Sequence, residues 1–277
     1  ARAFLASEAT IAQRLVRAKR TIRAQRIPYA VPDIADLPAR LDAVLDVLYL
    51  LFNEGYHASA GDDLIRGQLT GEAIRLSRLL HQLLPEEAST TGLLALLLLQ
   101  NSRSAARLDD QGEVVLLADQ DRARWNQASI REGMTLLGVA LRRTPTRPDL
   151  YATQAAIAAC HALARTWADT NWEALVSWYD VLLSFHDTSV VRLNRAVALA
   201  EMRGPQAGLD ALAEVGSMSG YTRLEATRGE LLYRLERFEE AADAYRKALV
   251  LPSNTAQRRY LEKRLASCGV STTRPIH

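Results

Sequence analysis

Four short constellations in this 277-residue sequence carry side chains capable of chemistry. Cys160 stands beside His161, the pairing a thiolate nucleophile would need. Glu54 and His57 have the helical spacing of half a di-metal carboxylate site. Asp119, Asp121, Arg122, Arg124 and Trp125 crowd acids, bases and an indole into DQDRARWN (119–126), a composition that could face a protein partner. The fourth is a basic arm. Residues 1–26 hold seven Arg and Lys against Glu8 alone, a local charge of +6, while the rest of the chain carries −4. A basic arm on a mildly acidic body points to a polyanion touched by the arm alone, or else to a solvated helix face.

Each catalytic template fails when its elements are sought. Cys160 falls in an alanine-rich helical stretch, where a core thiol is the default. A metal-binding bundle needs paired Glu-x-x-His motifs, and only Glu54–His57 has the spacing. The nearest approach to a G-x-S-x-G elbow, residues 216–220, puts Met218 in the serine position. Neither a P-loop nor a dinucleotide glycine fingerprint occurs, and Asp109 and Asp110 are adjacent rather than alternating as calcium loops require. The expectation is a protein that is not an enzyme and uses no metal or cofactor. In the 119–126 segment the acids also suit a helix N-terminus, with Arg122 and Arg124 pairing locally. Residues 52–57 similarly suit a helix end running into a glycine turn.

The elements that must position these groups are helices. Hydrophobic residues make up 48% and charged residues 24% of the chain, the balance of a globular protein. Apolar residues recur at three- and four-residue spacing almost throughout, which predicts an all-α fold. Ser7 is a candidate N-cap for a helix running to about Arg26. Three prolines within residues 27–39 predict a linker. Helices are then expected over 40–54, 64–84, 87–106 and 121–143, with one possible short β-hairpin near 108–117. The longest apolar run, Gly92–Leu99, is far short of the ~20 residues a membrane span needs. Two cysteines and no cleavable leader pattern favour a cytoplasmic location.

Beyond residue 149 the pattern repeats. Ala162 and Ala174, Ala196 and Gly208, and Gly229 and Ala241 are pairs of small residues with a common spacing. Trp178, Leu212 and Tyr245 follow each pair at a common offset. A helix-turn-helix unit of about 34 residues with small residues at the crossings is the tetratricopeptide (TPR) pattern. The division is therefore residues 1–26, a linker at 27–39, a helical domain at 40–148, and TPR-like repeats at 149–277 with a capping helix. In that register the inner face carries Ala159, Leu163, Thr166, Leu193, Val197, Ala200, Ala226, Glu230 and Tyr233. This set is poor in charge and suited to being covered by the 40–143 block of the same chain.

The opening residues, ARAFLASEATIAQRLVRAKRTIRA, have the layout of a helix-turn-helix whose second helix would enter a major groove. Glu8, Thr10, Gln13, Arg14 and Arg17 would lead, with Lys19, Arg20 and Arg23 near phosphates. The plainer alternative is a basic amphipathic helix packed on the body by Ile11, Leu15, Ala18 and Ile22. SEATIAQRLVRAK (7–19) resembles the −35 recognition helix in region 4 of extracytoplasmic-function (ECF) sigma factors. The similarity continues into the subgroup with a long TPR-like C-terminal extension, through LYLLFNEGY (48–56), GLLALLLLQNSRSAAR (92–107), DQDRARWN (119–126), QAAIAACHA (154–162) and VVRLNRAVALAE (190–201).

The resemblance implies that this sequence is the extension plus the last helix of region 4, with region 2 and the remainder of region 4 expected ahead of it. It implies DNA contacts by Glu8, Thr10, Gln13, Arg14, Arg17, Lys19 and Arg20, and control of transcription initiation in cis. The implied partners are core RNA polymerase, promoter DNA for the full-length factor, and the chain's own sigma regions 2 and 4, with no membrane. Asp119, Asp121, Arg122, Arg124 and Trp125 are the candidates for protein contact. A free-standing TPR-type adaptor is the alternative, and a helical enzyme or small-ligand sensor a third.

Overall fold

A computed structural model of the chain describes residues 7–26, 36–56, 67–110, 115–215, 221–251 and 255–269. These residues are helical with no strand among them. In chain order the helices are α1 (Glu8–Ala24), α2 (Leu37–Tyr56), α3 (Gly67–Leu83), α4 (Ala88–Asn101), α5 (Gln127–Arg143), α6 (Leu150–Leu163), α7 (Trp172–Leu183), α8 (Ser189–Arg203), α9 (Pro205–Ala213), α10 (Thr222–Arg234), α11 (Phe238–Val250) and α12 (Thr255–Ser267). Single 3₁₀ turns occupy Ser104–Ala106 and Arg122–Arg124. None of the described helices is long and apolar enough to cross a membrane.

The chain divides into two compact units, with the main boundary inside α3 after Leu76. The first holds α1, α2 and the start of α3. Ser7 caps α1 as its sequence predicts, its Oγ accepting the Thr10 N–H at 3.2 Å. The helix that would precede it in a helix-turn-helix falls on residues outside those described, as does linker segment 27–35. Helix α2 starts at Leu37, three residues before the predicted helix, and runs past Gly55, which is buried inside it rather than forming a turn. Its buried stripe is Leu41, Leu45, Leu48, Phe52 and Tyr56, at the spacing of one helical face. The Phe52 and Tyr56 rings stack at 5.3 Å.

The second unit is organised around α4. Every residue from Thr90 to Leu99 is buried, the signature of a helix covered on all sides. Two glycines permit this. A Cβ at Gly92 would lie 2.7 Å from the Ala152 backbone nitrogen of α6, and one at Gly133 of α5 would lie 2.8 Å from Leu99 Cγ. Helix α4 thus packs against both α5 and α6, carrying the packing across the 148/149 position where the sequence pattern changes. The bidentate Arg78–Glu132 pair ties the end of α3 to α5. The expected hairpin is not a strand pair among the described residues. Leu108 occupies an isolated bridge position and the Val115 N–H donates to Arg107 O at 2.9 Å, while residues 111–114 lie outside the description.

From α6 onward, each helix packs on the next. Small cores follow one another along the array: Ile157, Leu182 and Val191; then Leu175, Val176, Ala198 and Leu199; then Leu193, Ala196, Ala200, Leu212 and Leu231; then Leu232, Ala241, Tyr245 and Leu261. Such neighbour-to-neighbour burial is how helical repeats are stabilised. The small-residue register is exact at two crossings. A Cβ at Gly208 would sit 2.5 Å from Ala200 Cβ, and one at Gly229 would sit 2.8 Å from the Tyr245 ring. Gly204 (φ +95°) turns the chain from α8 into α9 in one residue, with Pro205 opening the new helix. Helix α12 closes the array, burying Leu261 and Cys268 while Arg258, Glu262 and Lys263 face outward.

Candidate functional site

The richest assembly of polar and aromatic groups lies at the C-terminal end of α6. Asp149 caps the other end, its Oδ1 accepting the Tyr151 and Ala152 N–H groups at 2.7 and 3.0 Å. Burial raises its carboxyl pKa, against the lowering effect of those two bonds. At the C-terminus the last carbonyls of a helix lack partners within it. Here Arg122 supplies one. Its Nη1 donates to His161 O at 2.6 Å and to Ala164 O at 2.9 Å, placing a cation at the negative end of the α6 dipole. The guanidinium lies 4.9 Å from the centroid of the buried Trp125 ring. Burial holds its pKa below the usual arginine value, with Asp169 opposing the shift and Arg103 adding to it.

His161 sits beneath this contact in an aromatic group. Its ring stacks on Trp167 (5.9 Å between centroids, 10° between planes) and meets Trp172 edge-on at 5.7 Å. Trp167 and Trp172 are themselves 4.5 Å apart in a T-shaped pair, and Trp167 Nε1 donates to Glu201 Oε2 at 3.1 Å. His161 Nδ1 is closed off from solvent without a partner. Its pKa falls to about 3, first because burial disfavours the charged ring and then because Arg103 and Arg122 repel it. Asp169 accepts the Thr166 N–H and Oγ1–H at 3.0 and 2.8 Å.

The 119–126 residues therefore separate into different tasks. Asp121 caps the 3₁₀ turn by accepting the Ala123 N–H at 2.9 Å, and Asn126 caps α5 by accepting the Ser129 N–H at 3.0 Å. These two caps break the single helix expected over 121–143. Asp119 and Arg124 are exposed, Trp125 is buried, and Arg122 reaches α6 rather than a neighbouring acid. Cys160 lies inside α6 as expected, with burial raising its thiol pKa and so disfavouring the thiolate. Glu54 is half-buried in α2, and His57 lies outside the described residues. No group of three His, Cys, Asp or Glu among the described residues could hold a metal ion.

On α1, Gln13, Arg14, Arg17, Lys19 and Arg20 are exposed, whereas Thr10 is half-buried and its Oγ1 is 2.8 Å from Ser7 Oγ. The Glu8 side chain lies outside the description. Leu15 and Ile22, offered above as packing residues, are more than half exposed, as is Val16. The expected inner face of the array needs correction as well. Leu193 and Ala200 belong to the core shared by α8, α9 and α10, because α9 and α10 converge on that side of α8. Glu230 and Tyr233 engage Arg264 of α12, by a 2.7 Å ion pair and by a guanidinium 4.1 Å from the ring centroid. An apolar groove of about 330 Å³ does form between α5, α6 and α7, lined by Met134, Leu137, Leu141, Ala159, Cys160 and Trp178. One of its walls is α5, part of the 40–143 block.

Sequence reasoning missed the aromatic group and Arg103. A signal existed, because the four tryptophans all fall between residues 125 and 178, three of them within 167–178. Residues 40–141 match a family described only as a family of unknown function (DUF6596). Over 266 residues the chain is 45% identical to Uncharacterized protein R00370 of Rhizobium meliloti (strain 1021). That similarity takes in 96% of this chain and 62% of the relative, so the chain spans just under two thirds of that protein's length.

Proposed function

We propose that this chain is the C-terminal regulatory and protein-interaction part of an ECF sigma factor, acting in cis on promoter-specific transcription initiation through contacts with sigma regions or core RNA polymerase. The observation that carries the reading is α1. It is a capped helix that displays Gln13, Arg14, Arg17, Lys19 and Arg20 to solvent, at the place where the sequence resembles a −35 recognition helix. Five cations on one short helix, Arg14, Arg17, Lys19, Arg20 and Arg23, would contact phosphates and base edges together. The exposed Leu15 and Ile22 fit the same reading, since a recognition helix needs a scaffold on its apolar side. The rigid helical array that follows offers broad surface for protein contacts, as repeat folds do.

Run-off transcription with core RNA polymerase tests this, comparing the gene's complete product with the same product stopped at Pro38. Loss of transcripts on truncation makes the extension an obligatory positive element, and a gain makes it a built-in inhibitor. Absence of promoter-dependent transcripts from both overturns the reading in favour of a free-standing adaptor.

A further inference from the structure

We propose that the groove between α5, α6 and α7 is a binding site for a small amphiphilic amine. The ammonium group would sit on the Asp169 carboxylate and the apolar body against Met134, Leu137, Leu141 and Trp178. The groove holds about 330 Å³, the size of a small-molecule site, with room for about ten non-hydrogen atoms at water's ~30 Å³ each. Its floor is α6, where Ala156, Ala159 and Cys160 recur at helical spacing and leave space that larger side chains would fill. Its walls are α5 and α7. At one end the 164–171 turn joins α6 to α7 and adds Ala164, Asp169 and Asn171 to the lining, so the slot is blind there. A partner helix running along α6 would meet that turn, whereas a short ligand would end at it. The claim goes beyond the transcription reading and does not rest on it, since its geometry lies within these three helices.

Charge selects the class of ligand. Among the residues lining the groove, Asp169 alone is charged at neutral pH. It is exposed at the blind end, and its bonds from the Thr166 N–H and Oγ1–H both fall on Oδ2, at 3.0 and 2.8 Å. Oδ1 is left to accept from an ammonium group. Arg122 also feels this carboxylate, but its Nη1 donates to His161 O and Ala164 O. Asn171 is committed as well, its Oδ1 accepting the Ala174 N–H at 2.9 Å. A carboxylate ligand would therefore meet Asp169 as a like charge, and a neutral one would leave it unmatched. The apolar end of the bargain is at the mouth: Leu163 is 65% exposed and Trp178 half-exposed, apolar surface that a bound ligand removes from water.

n-Octylamine is the probe, with 1-octanol and octanoate as neutral and anionic controls of the same chain length. Each is titrated into the whole chain carrying isotope-labelled methionine methyls and followed by NMR. Octylamine should shift the Met134 signal saturably and leave that of Met202, on α8 away from the groove lining, in place. It should bind about fivefold more tightly than octanol, the scale of one partly exposed ionic contact, and octanoate should bind more weakly than either. Asp169→Asn keeps an acceptor for Thr166 and should bring octylamine down to the affinity of octanol. A Met134 signal that does not move, or moves only together with Met202, overturns the proposal. Equal affinity for the three ligands, or an amine preference that survives in Asp169→Asn, overturns it too. The comparison of ligands on the wild-type chain stands by itself if the variant does not fold.

Discussion

Acidification should strike this fold at His161. In the native chain its pKa lies at about 3, against the ordinary 6.5 it regains on unfolding. The direction follows from proton uptake: between those two values the unfolded chain binds a proton that the native one refuses, so stability falls as pH falls from about 6.5 towards 3. At pH 5 the loss amounts to the 1.5 units below 6.5 at ~1.36 kcal/mol each, or about 2 kcal/mol. His161→Phe keeps an aromatic ring against Trp167 and removes the titration. Urea unfolding followed by circular dichroism at pH 7 and pH 5 should show the wild type losing about 2 kcal/mol more than His161→Phe. His81, whose pKa is lowered by burial and by Arg143, titrates in both proteins and cancels. Equal losses in the two proteins, or an NMR titration placing His161 near 6.5, would refute both the closed aromatic pocket and the repulsion from Arg103 and Arg122.

Three further outcomes test the rest of the structure. Gly92→Ala should lower the urea midpoint, because a Cβ 2.7 Å from the Ala152 nitrogen forces α4 and α6 apart. The overpacking cost of ~1–3 kcal/mol exceeds the helix-propensity gain of up to ~1 kcal/mol, so a midpoint at or above wild type contradicts that crossing. Tyr245→Ala should cost ~3–5 kcal/mol, since the ring is fully buried against Gly229, whereas Trp178→Ala should cost markedly less because that ring is half-exposed on the groove. Thermal melts in the reverse order would move the repeat register. Arg14→Ala with Arg17→Ala should leave the melting temperature unchanged, as both side chains are exposed, yet weaken promoter occupancy by the complete factor in a footprint. Full occupancy would remove DNA contact from α1.

What could be read from the sequence is what local rules write into it. Helix periodicity, the Ser7 cap, and the small residues Gly208 and Gly229 at helix crossings all act within one helix or between adjacent ones, so the spacing of residue types records them. The inner-face register failed at Leu193 and Ala200 for the converse reason. Which side of α8 is buried depends on how α9 and α10 converge on it, and an Ala or Leu there serves either face equally well. The 119–126 segment shows the limit most clearly. Its charges fit local pairing and helix capping, and Asp121 and Asn126 do cap. Arg122 instead meets carbonyls 39 and 42 residues further along the chain.

Backbone carbonyls at a helix end have no residue-type signature, so no spacing could announce that contact. Cys160 is the opposite case, because its alanine-rich helical surroundings are visible in the spacing. The Cys160 thiol is half-buried on the groove wall, and burial raises its pKa, which disfavours the thiolate. Arg122 carries a charge into a partly closed site, meets two carbonyls there, and leaves its second nitrogen unmet. A fold optimised for stability alone has simpler ways to finish a helix, a C-terminal glycine among them. Arg122 therefore does for α6 what a glycine does elsewhere, and does it from a segment that the buried Trp125 and the Asn126 N–H bond to Ser102 O at 2.8 Å hold in place.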